Sequence, residues 1–465
     1  MRVCLIQVPP ASEADKHWAR FPILGLAYVA AAIERAGHEV ILLDGKLDEL
    51  SEDEIVERAA AARADLIGFT CMTVEFPSVV RVAGRLKPLC EAPIIAGGAH
   101  VNAVGAQALE DCAHLDLVCK GEGEDLILEL IEAIEGRASL ADIPGLSYRE
   151  GGAVVSNPTR PYPKDYDRLA YPAWHLFRVG EEIPVLTHRG CPYRCTFCGH
   201  NSGFKARFRS VDNVLDEISQ VVARFEPSVI RFEDETFGLD LKRTKAILAG
   251  IMERGLHRKV SFSAQTRVDR ADGEFMAMLR DANFKTLELG VETGNAEVMK
   301  RIRKGITLEQ VEAAVALAKR EGLRVWCKFI IGHPHETRAT AMDTVRFITK
   351  LNPHQLSVSI MTPFPGTPIH DMAMKGEGGY RVLTDDWSAF DKYSTGALEL
   401  VELPLHRLKM LQLLCYLSLY LRNGRLIELV KLVVAHRALA VQLALGPLRS
   451  FRSRTRAAPQ PVAAE

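Results

Sequence analysis

The feature that most constrains this chain is an alternation. Short apolar runs, each followed by a segment of helical period, recur through residues 1–140 and again from about residue 184 to 361. In the first stretch, strands are expected at Val3–Val8, Glu39–Leu43, Asp65–Thr70, Pro93–Ala96 and Leu115–Lys120. Helices are expected between and after them, at Leu24–Ala36, Glu52–Ala62, Phe76–Leu89, Gln107–Cys112 and Glu124–Glu135. Strands that alternate with helices cannot form hairpins. They form a parallel sheet covered on both faces, which makes this an α/β chain. Five such strands predict a doubly wound, flavodoxin-like domain whose ligand sits at the carboxyl ends of the strands.

The rhythm breaks at 141–182, which holds five prolines and reads as a linker with local structure. It resumes with longer units. Strands are expected at Pro184–His188, Val229–Asp234, Val260–Gln265, Thr286–Val291, Val325–Ile331 and Gln355–Met361. The helices between them fall at Val211–Phe225, Leu241–Arg254, Gly273–Ala282, Leu308–Glu321 and Ala339–Leu351. Six strands with helices between them make a partial (βα)6 barrel, with functional groups on the loops after the strands. The chain thus divides into a cofactor-binding domain at 1–140, a linker at 141–182, a barrel at 183–400, a helical region at 401–455 and a disordered tail at 456–465.

Composition narrows the function. Lys and Arg total 58 against 59 Asp and Glu, a net charge of -1, which argues against a protein that coats nucleic acid. The chain opens on a strand pattern with no secretory signal, so a cytosolic setting with reduced thiols is expected. No stretch reads as a membrane span; the apolar run Met410–Leu421 is too short. From Glu402 onward ten basic residues face three acidic ones. The apolar, basic helices there are read as a cap on the open barrel. Alternatives are a substrate lid, or a peripheral contact with the inner membrane face.

Ten cysteines remain. Cys4, Cys71, Cys90, Cys112, Cys119, Cys327 and Cys415 are scattered, mostly beside apolar residues, and read as small core side chains. The other three, Cys191, Cys195 and Cys198, have the spacing C-x3-C-x2-C in a loop just after a strand. Three thiolates on one tight loop can hold three irons of a cubic iron–sulfur cluster, leaving the fourth iron open to a chelating ligand. Gly190 and Gly199 let the backbone wrap closely around it. Zinc is the competing metal. It wants four ligands, and His200 sits too near the last cysteine for the usual spacing. Purely structural cysteines are the third reading.

The loop resembles that of the radical S-adenosylmethionine (SAM) enzymes. The resemblance implies a [4Fe–4S] cluster whose open iron chelates SAM, with electron transfer cleaving SAM to methionine and a 5′-deoxyadenosyl radical. It places Phe197 beside the adenine. It assigns Asp234 and Glu235 to the SAM amino group and Glu292 to the ribose hydroxyls. It adds to the cofactor-binding set Gln265 and Arg267 after the third barrel strand and Gly332 after the fifth, where the family has an apolar wall for adenine. A carboxylate at a strand end is also an ordinary helix cap, and Arg267 has an ordinary alternative as the partner of Asp234 or Asp269.

The first domain resembles cobalamin-binding domains. Thr70-Cys71-Met72 and Gly97-Gly98-Ala99-His100 follow its third and fourth strands, where the family lines a slot for the dimethylbenzimidazole tail. A dinucleotide would want G-x-G-x-x-G after the first strand, and Gln7-Val8-Pro9-Pro10 stands there. Asp15 to Arg20 partly resembles a motif whose histidine, here His17, ligates cobalt, but Arg20 stands where that motif has Gly. Gly121-Glu122-Gly123-Glu124 fits the same family as a hinge. A flavodoxin-like domain that binds nothing is the plain alternative.

Together these imply a cobalamin-dependent radical SAM enzyme. A methyltransferase acting on an unactivated carbon of a small-molecule or lipid-like intermediate is expected first, a cyclase, ring-rearranging or oxidising enzyme second. Its electron would come from a partner such as flavodoxin or ferredoxin, and no nucleic acid is expected.

Overall fold

The computed structural model describes residues 1–9, 22–199, 202–391, 396–435 and 441. They fall into two compact units. The first comprises Met1–Arg194, Cys198–Glu288 and Leu317–Leu323; the second comprises Cys195–Phe197, Leu289–Ala316 and the described residues from Arg324 onward. The motif carrying His17, the residue His200 and the expected disordered tail lie outside the described residues.

The first unit begins with β1 (Arg2–Gln7), α1 (Leu24–Arg35), β2 (Glu39–Asp44), α2 (Glu52–Ala61), β3 (Leu66–Thr70) and α3 (Phe76–Leu86). It continues with β4 (Ile94–Gly97), α4 (Ala99–Val104), α5 (Gln107–Asp111), β5 (Leu117–Cys119) and α6 (Gly123–Ile134). Val3, Cys4, Leu5 and Ile6 are all buried, so both faces of β1 are covered, as a doubly wound sheet requires. The strands run parallel in the order β2-β1-β3-β4-β5, which reverses direction between β1 and β3.

Two further strands correct the expected count of five. β6 (Leu146–Glu150) and β7 (Ala153–Ser156) pair antiparallel and extend this sheet to seven strands. They lie inside the segment read as a linker, between Pro144 and Pro158, where the strands are too short to show a clear alternation. Gly151 and Gly152, at φ +57° and +88°, form their two-residue turn, which needs left-handed backbone at both positions.

The same unit then carries β8 (Glu182–Val185), the short pair β9 (His188–Arg189) and β10 (Arg207–Phe208), α7 (Val211–Phe225), β11 (Val229–Phe232), α8 (Leu241–Glu253), β12 (Ser261–Thr266) and α9 (Gly273–Asp281). β8, β11 and β12 are parallel neighbours. Phe232, Phe237, Phe262 and Phe284 stack beneath them, with Phe232 and Phe237 centroids 4.6 Å apart. Ser210, Asp240 and Asp272 accept amide hydrogens at the starts of α7, α8 and α9, so each helix is capped by the residue just before it.

β13 (Phe284–Glu292) is the strand by which the chain enters the second unit. There follow α10 (Ala296–Arg301), α11 (Leu308–Arg320), β14 (Arg324–Ile331), α12 (Arg338–Leu351), β15 (Gln355–Ile360), α13 (Pro368–Met374), the hairpin β16 (Tyr380–Val382) and β17 (Leu398–Leu400), α14 (Leu405–Arg422) and α15 (Leu426–Ala435). The strand order β8-β11-β12-β13-β14-β15 is that of a partial (βα)6 barrel.

β15 is an edge strand, and α14 covers it. Tyr416 Oη accepts from the Val358 amide at 3.2 Å, and Gln412 Nε2 donates to the Val358 carbonyl at 2.8 Å. No helix among the described residues is long and apolar enough to cross a membrane.

Candidate functional site

The cysteine loop leaves regular structure at Gly190. That residue has φ +89°, and a Cβ there would collide with the Lys205 carbonyl, so only glycine fits. The Cys191 amide then donates to the Gly203 carbonyl at 3.1 Å. Cys191 and Cys198 are partly exposed, Cys195 is buried, and none is in a disulfide. Of the other seven cysteines, six are buried. Burial pushes Cys4 and Cys119 up to about 12, so neither offers a thiolate near neutrality. Three unbridged thiols on one eight-residue loop fit the donor set of an iron–sulfur cluster. Gly199, at the loop's end, is exposed.

In the first unit, the acidic segment after β11 separates into two roles. Asp234 is fully buried. It accepts from the Thr187 amide at 2.6 Å and Thr187 Oγ1 at 2.7 Å, and its Oδ2 lies 3.1 Å from His188 Nδ1. Burial alone would raise this carboxyl, but the His188 charge and the Thr187 donors outweigh it and hold it low. Burial likewise works against protonated His188, and Asp234 reverses the sign, leaving that imidazole raised. Asp234 is therefore committed to the protein, which corrects its assignment as a ligand-facing group. Glu235 is only partly buried; its Oε2 accepts from the Gly190 amide at 3.2 Å. Thr236 Oγ1 lies 3.8 Å from Cys191 Sγ.

Arg267 needs a similar correction. Its guanidinium forks onto Asp269 at 2.9 and 3.2 Å and lies 3.5 Å from the centre of the Tyr193 ring. It braces the cysteine loop through Tyr193 and is 4% exposed. The Gln265 carbonyl accepts from the Phe237 amide at 2.9 Å, and its side chain is partly exposed at the end of β12.

Arg189, just before the loop, reaches into the first domain. It pairs with Glu124 at 2.6 Å and Glu122 at 3.5 Å. Arg207 pairs with Glu122 at 2.8 Å, and Tyr166 donates to the same carboxylate at 2.6 Å. Two cations and two anions are thus buried together. The Gly121–Glu124 segment, read as a hinge, is clamped to the residue just before the cysteine loop.

In the second unit, Phe197 lies edge-on to His333 with ring centroids 6.3 Å apart, and Lys304 Nζ is 5.9 Å from the Phe197 centroid. Lys304 Nζ is also 2.7 Å from Glu292 Oε1, with both side chains under 10% exposed. Glu292 has φ +74° at the end of β13, an uncommon conformation for a glutamate, and its carbonyl lies 3.3 Å from His333 Nε2. Gly332, at φ +90°, donates to Glu336 Oε2 at 2.5 Å, and the His333 amide donates to the same oxygen at 3.1 Å. Burial lowers His333 to about 4 and keeps it neutral.

At the first domain's sheet edge, Gly98 has φ +96° and ψ -173°, and an added Cβ would sit 2.8 Å from the Cys71 amide nitrogen, the Cys71 carbonyl and Thr70 Oγ1. Thr70 ends β3 partly exposed, Gly97 ends β4, and Met72 is 53% exposed. His100 departs from expectation. It is fully buried with its ring 4.4 Å from Phe76, and burial lowers it to about 4. It packs beneath the edge instead of facing a ligand.

His188, Lys304 and Glu336 were not foreseen. Lys304 lies in a loop twelve residues from its partner, with no periodic relation to signal the pair. Glu336 stands in Gly332-His333-Pro334-His335-Glu336-Thr337, where the strand-end position itself was the available signal.

Comparison with known proteins adds three findings. Residues 185–348 match the radical SAM superfamily and residues 19–131 match the B12 binding domain. The chain is 31% identical to an uncharacterized methyltransferase of Pyrococcus horikoshii, over 97% of this chain and 99% of that one. It is 26% identical to an anaerobic magnesium-protoporphyrin IX monomethyl ester cyclase of Rubrivivax gelatinosus, over 78% of this chain and 68% of the relative. Among solved structures, the radical SAM methyltransferase TsrM of Kitasatospora setae superimposes with a TM-score of 0.69 at 21% identity, over 83% of this chain and 77% of that one. The cobalamin-dependent SAM radical enzyme OxsB gives 0.70 at 18%, over 90% and 65%.

Proposed function

Since the chain belongs to the family of cobalamin-binding radical SAM enzymes, we propose that it is a methyltransferase acting on an unactivated carbon of a small-molecule or lipid-like intermediate. The observation that carries this reading is the pairing of both cofactor domains in one chain, together with similarity along nearly the full length of a relative named a methyltransferase. When bound, the [4Fe–4S] cluster, SAM and cobalamin supply one-electron cleavage of SAM and a methyl group carried on cobalt.

The chain's own residues bind and position. Cys191, Cys195 and Cys198 hold three irons. Glu235 takes the amino group of SAM, while Asp234 fixes the strand end behind it through Thr187 and His188. Phe197, backed by His333, supplies a ring for adenine, and Gly332 gives a wall without a side chain. Glu292, held by Lys304, accepts from the ribose hydroxyls. Gln265 contributes a polar group at the end of β12. Arg267 holds the cysteine loop in place through Tyr193. Thr70, Met72, Gly97 and Gly98 line the edge that receives the cobalamin tail. A flavodoxin- or ferredoxin-like partner supplies the electron.

Cyclisation on the same scaffold is the second reading, favoured by the similarity to the Rubrivivax cyclase. Anaerobically reconstituted protein, incubated with SAM and reductant and analysed by mass spectrometry, tests both. 5′-Deoxyadenosine is expected from the wild type and none from Cys195→Ala. S-adenosylhomocysteine formed alongside it supports methyl transfer; its absence with cobalamin bound favours the cyclase. No 5′-deoxyadenosine from protein with an intact cluster overturns the proposal.

A further inference from the structure

The end of the described chain carries more apolar surface than its fold uses. α14 buries Leu408, Leu411, Cys415 and Leu419 and closes the β15 edge. α15 follows after Asn423-Gly424 and buries no residue at all. Leu426, Ile427, Val430, Val433 and Val434 are 58%, 72%, 55%, 45% and 70% exposed. Their spacing of i, i+1, i+4, i+7 and i+8 places them on one helix face, about 120° wide. Glu428 falls on the opposite side of the helix, and Lys431 borders the apolar face.

Charge identifies what covers this face. From Arg422 to Glu465 the sequence has eight Lys and Arg residues against Glu428 and Glu465, on a chain whose total is -1. A second copy of the chain, docked through the same face, would bring two basic segments together. A bilayer with anionic headgroups accepts the apolar face and is attracted to a sequence stretch of this basic balance, in which Arg422 and Lys431 flank α15 or lie on it. We propose that α15 is an interfacial helix that docks the protein on an anionic lipid surface. This inference stands apart from the methyl-transfer reading, because it uses no residue of the cofactor sites.

The test is co-sedimentation of the full-length protein with phosphatidylcholine vesicles, with and without phosphatidylglycerol. Binding to the anionic vesicles is expected to be roughly tenfold stronger or more, and to weaken as salt rises. Ile427→Glu combined with Val434→Glu should abolish it and leave the circular dichroism and iron content unchanged, since both side chains are exposed. Arg422→Gln with Lys431→Gln should weaken only the preference for anionic lipid. Equal partitioning of the wild type between vesicle types, or binding indifferent to both double variants, overturns the proposal. So does a dimer in size-exclusion chromatography that the Glu variant dissolves, because the face would then be an interface between copies.

Discussion

Arg189 Nη2 lies 2.6 Å from Glu124 Oε1, joining the residue before Gly190 and the cysteine loop to the first turn of α6. The Arg189 side chain is 12% exposed and the Glu124 side chain 7%. Burial works against the guanidinium's charge, yet Glu124 and Glu122 outweigh it and leave the group raised. Tyr28 and Tyr166 face the same guanidinium at 4.9 and 5.5 Å. A buried charge network of this kind adds little net stability as a whole, but removing one member strands the others.

Arg189→Met is therefore expected to cost about 3–5 kcal/mol in urea unfolding and to lower iron per chain, because the loop starts at the next residue. Adding Glu124→Leu to that variant should restore part of the loss by removing a stranded anion. A double variant as unstable as the sum of its parts would show that the pair is not coupled.

Gly98 makes a separable prediction in the first domain. Its φ and ψ lie in a region open essentially to glycine alone, and a Cβ would press on the Cys71 backbone. Gly98→Ala should cost about 1–3 kcal/mol and reduce cobalamin retained per chain, with iron per chain unchanged. Equal loss of both cofactors would mean that the change unfolds more than the sheet edge.

The fold was legible because its signal is periodic. The helical period predicts α7 residue for residue at Val211–Phe225 and α8, α9, α11 and α12 within one residue of their ends, while the short α10 and α13 carry too few turns to show a period. What escaped was aperiodic: the β6–β7 hairpin among prolines, and the two-residue strand His188–Arg189 at the start of the loop. The site was legible where chemistry demands a spacing, as for Cys191, Cys195 and Cys198. It was illegible where a side chain's partner decides its role. Nothing in Glu233-Asp234-Glu235 says that Asp234 turns inward to His188 while Glu235 turns toward Gly190. Nor does the sequence show that Arg267 stacks on Tyr193 or that His100 packs on Phe76.

The Glu292–Lys304 pair predicts a binding defect without unfolding. Gly290 lies under it: a Cβ there would be 2.7 Å from Glu292 Oε1 and 2.9 Å from Lys304 Nζ. Both atoms end flexible side chains, so Gly290→Ala should displace the pair instead of unfolding the strand. KM for SAM in 5′-deoxyadenosine formation is expected to rise roughly tenfold, about 1.4 kcal/mol, with kcat changed less. An unchanged KM would remove Glu292 from the SAM site.

Glu336 gives a pH dependence with a definite sign. It is 1% exposed, accepts the Gly332 and His333 amides through Oε2, and its Oε1 has no hydrogen-bond partner among the described residues. Burial pushes the carboxyl up to about 7, against the pull of those two amides. An unfolded glutamate titrates near 4.5, so between pH 4.5 and 7 the folded chain holds a proton that the unfolded chain releases. The stability from this group is thus full below pH 4.5 and is lost as pH rises through 7, by about 3 kcal/mol. Glu336→Gln keeps an acceptor for the two amides and removes the titration. The wild type's unfolding free energy should accordingly fall between pH 5 and 7.5 relative to the variant's. The buried His188–Asp234 pair, present in both proteins, cancels in that difference. A difference that is flat with pH, or that rises with it, would show that Glu336 is ionised in the folded protein across this range.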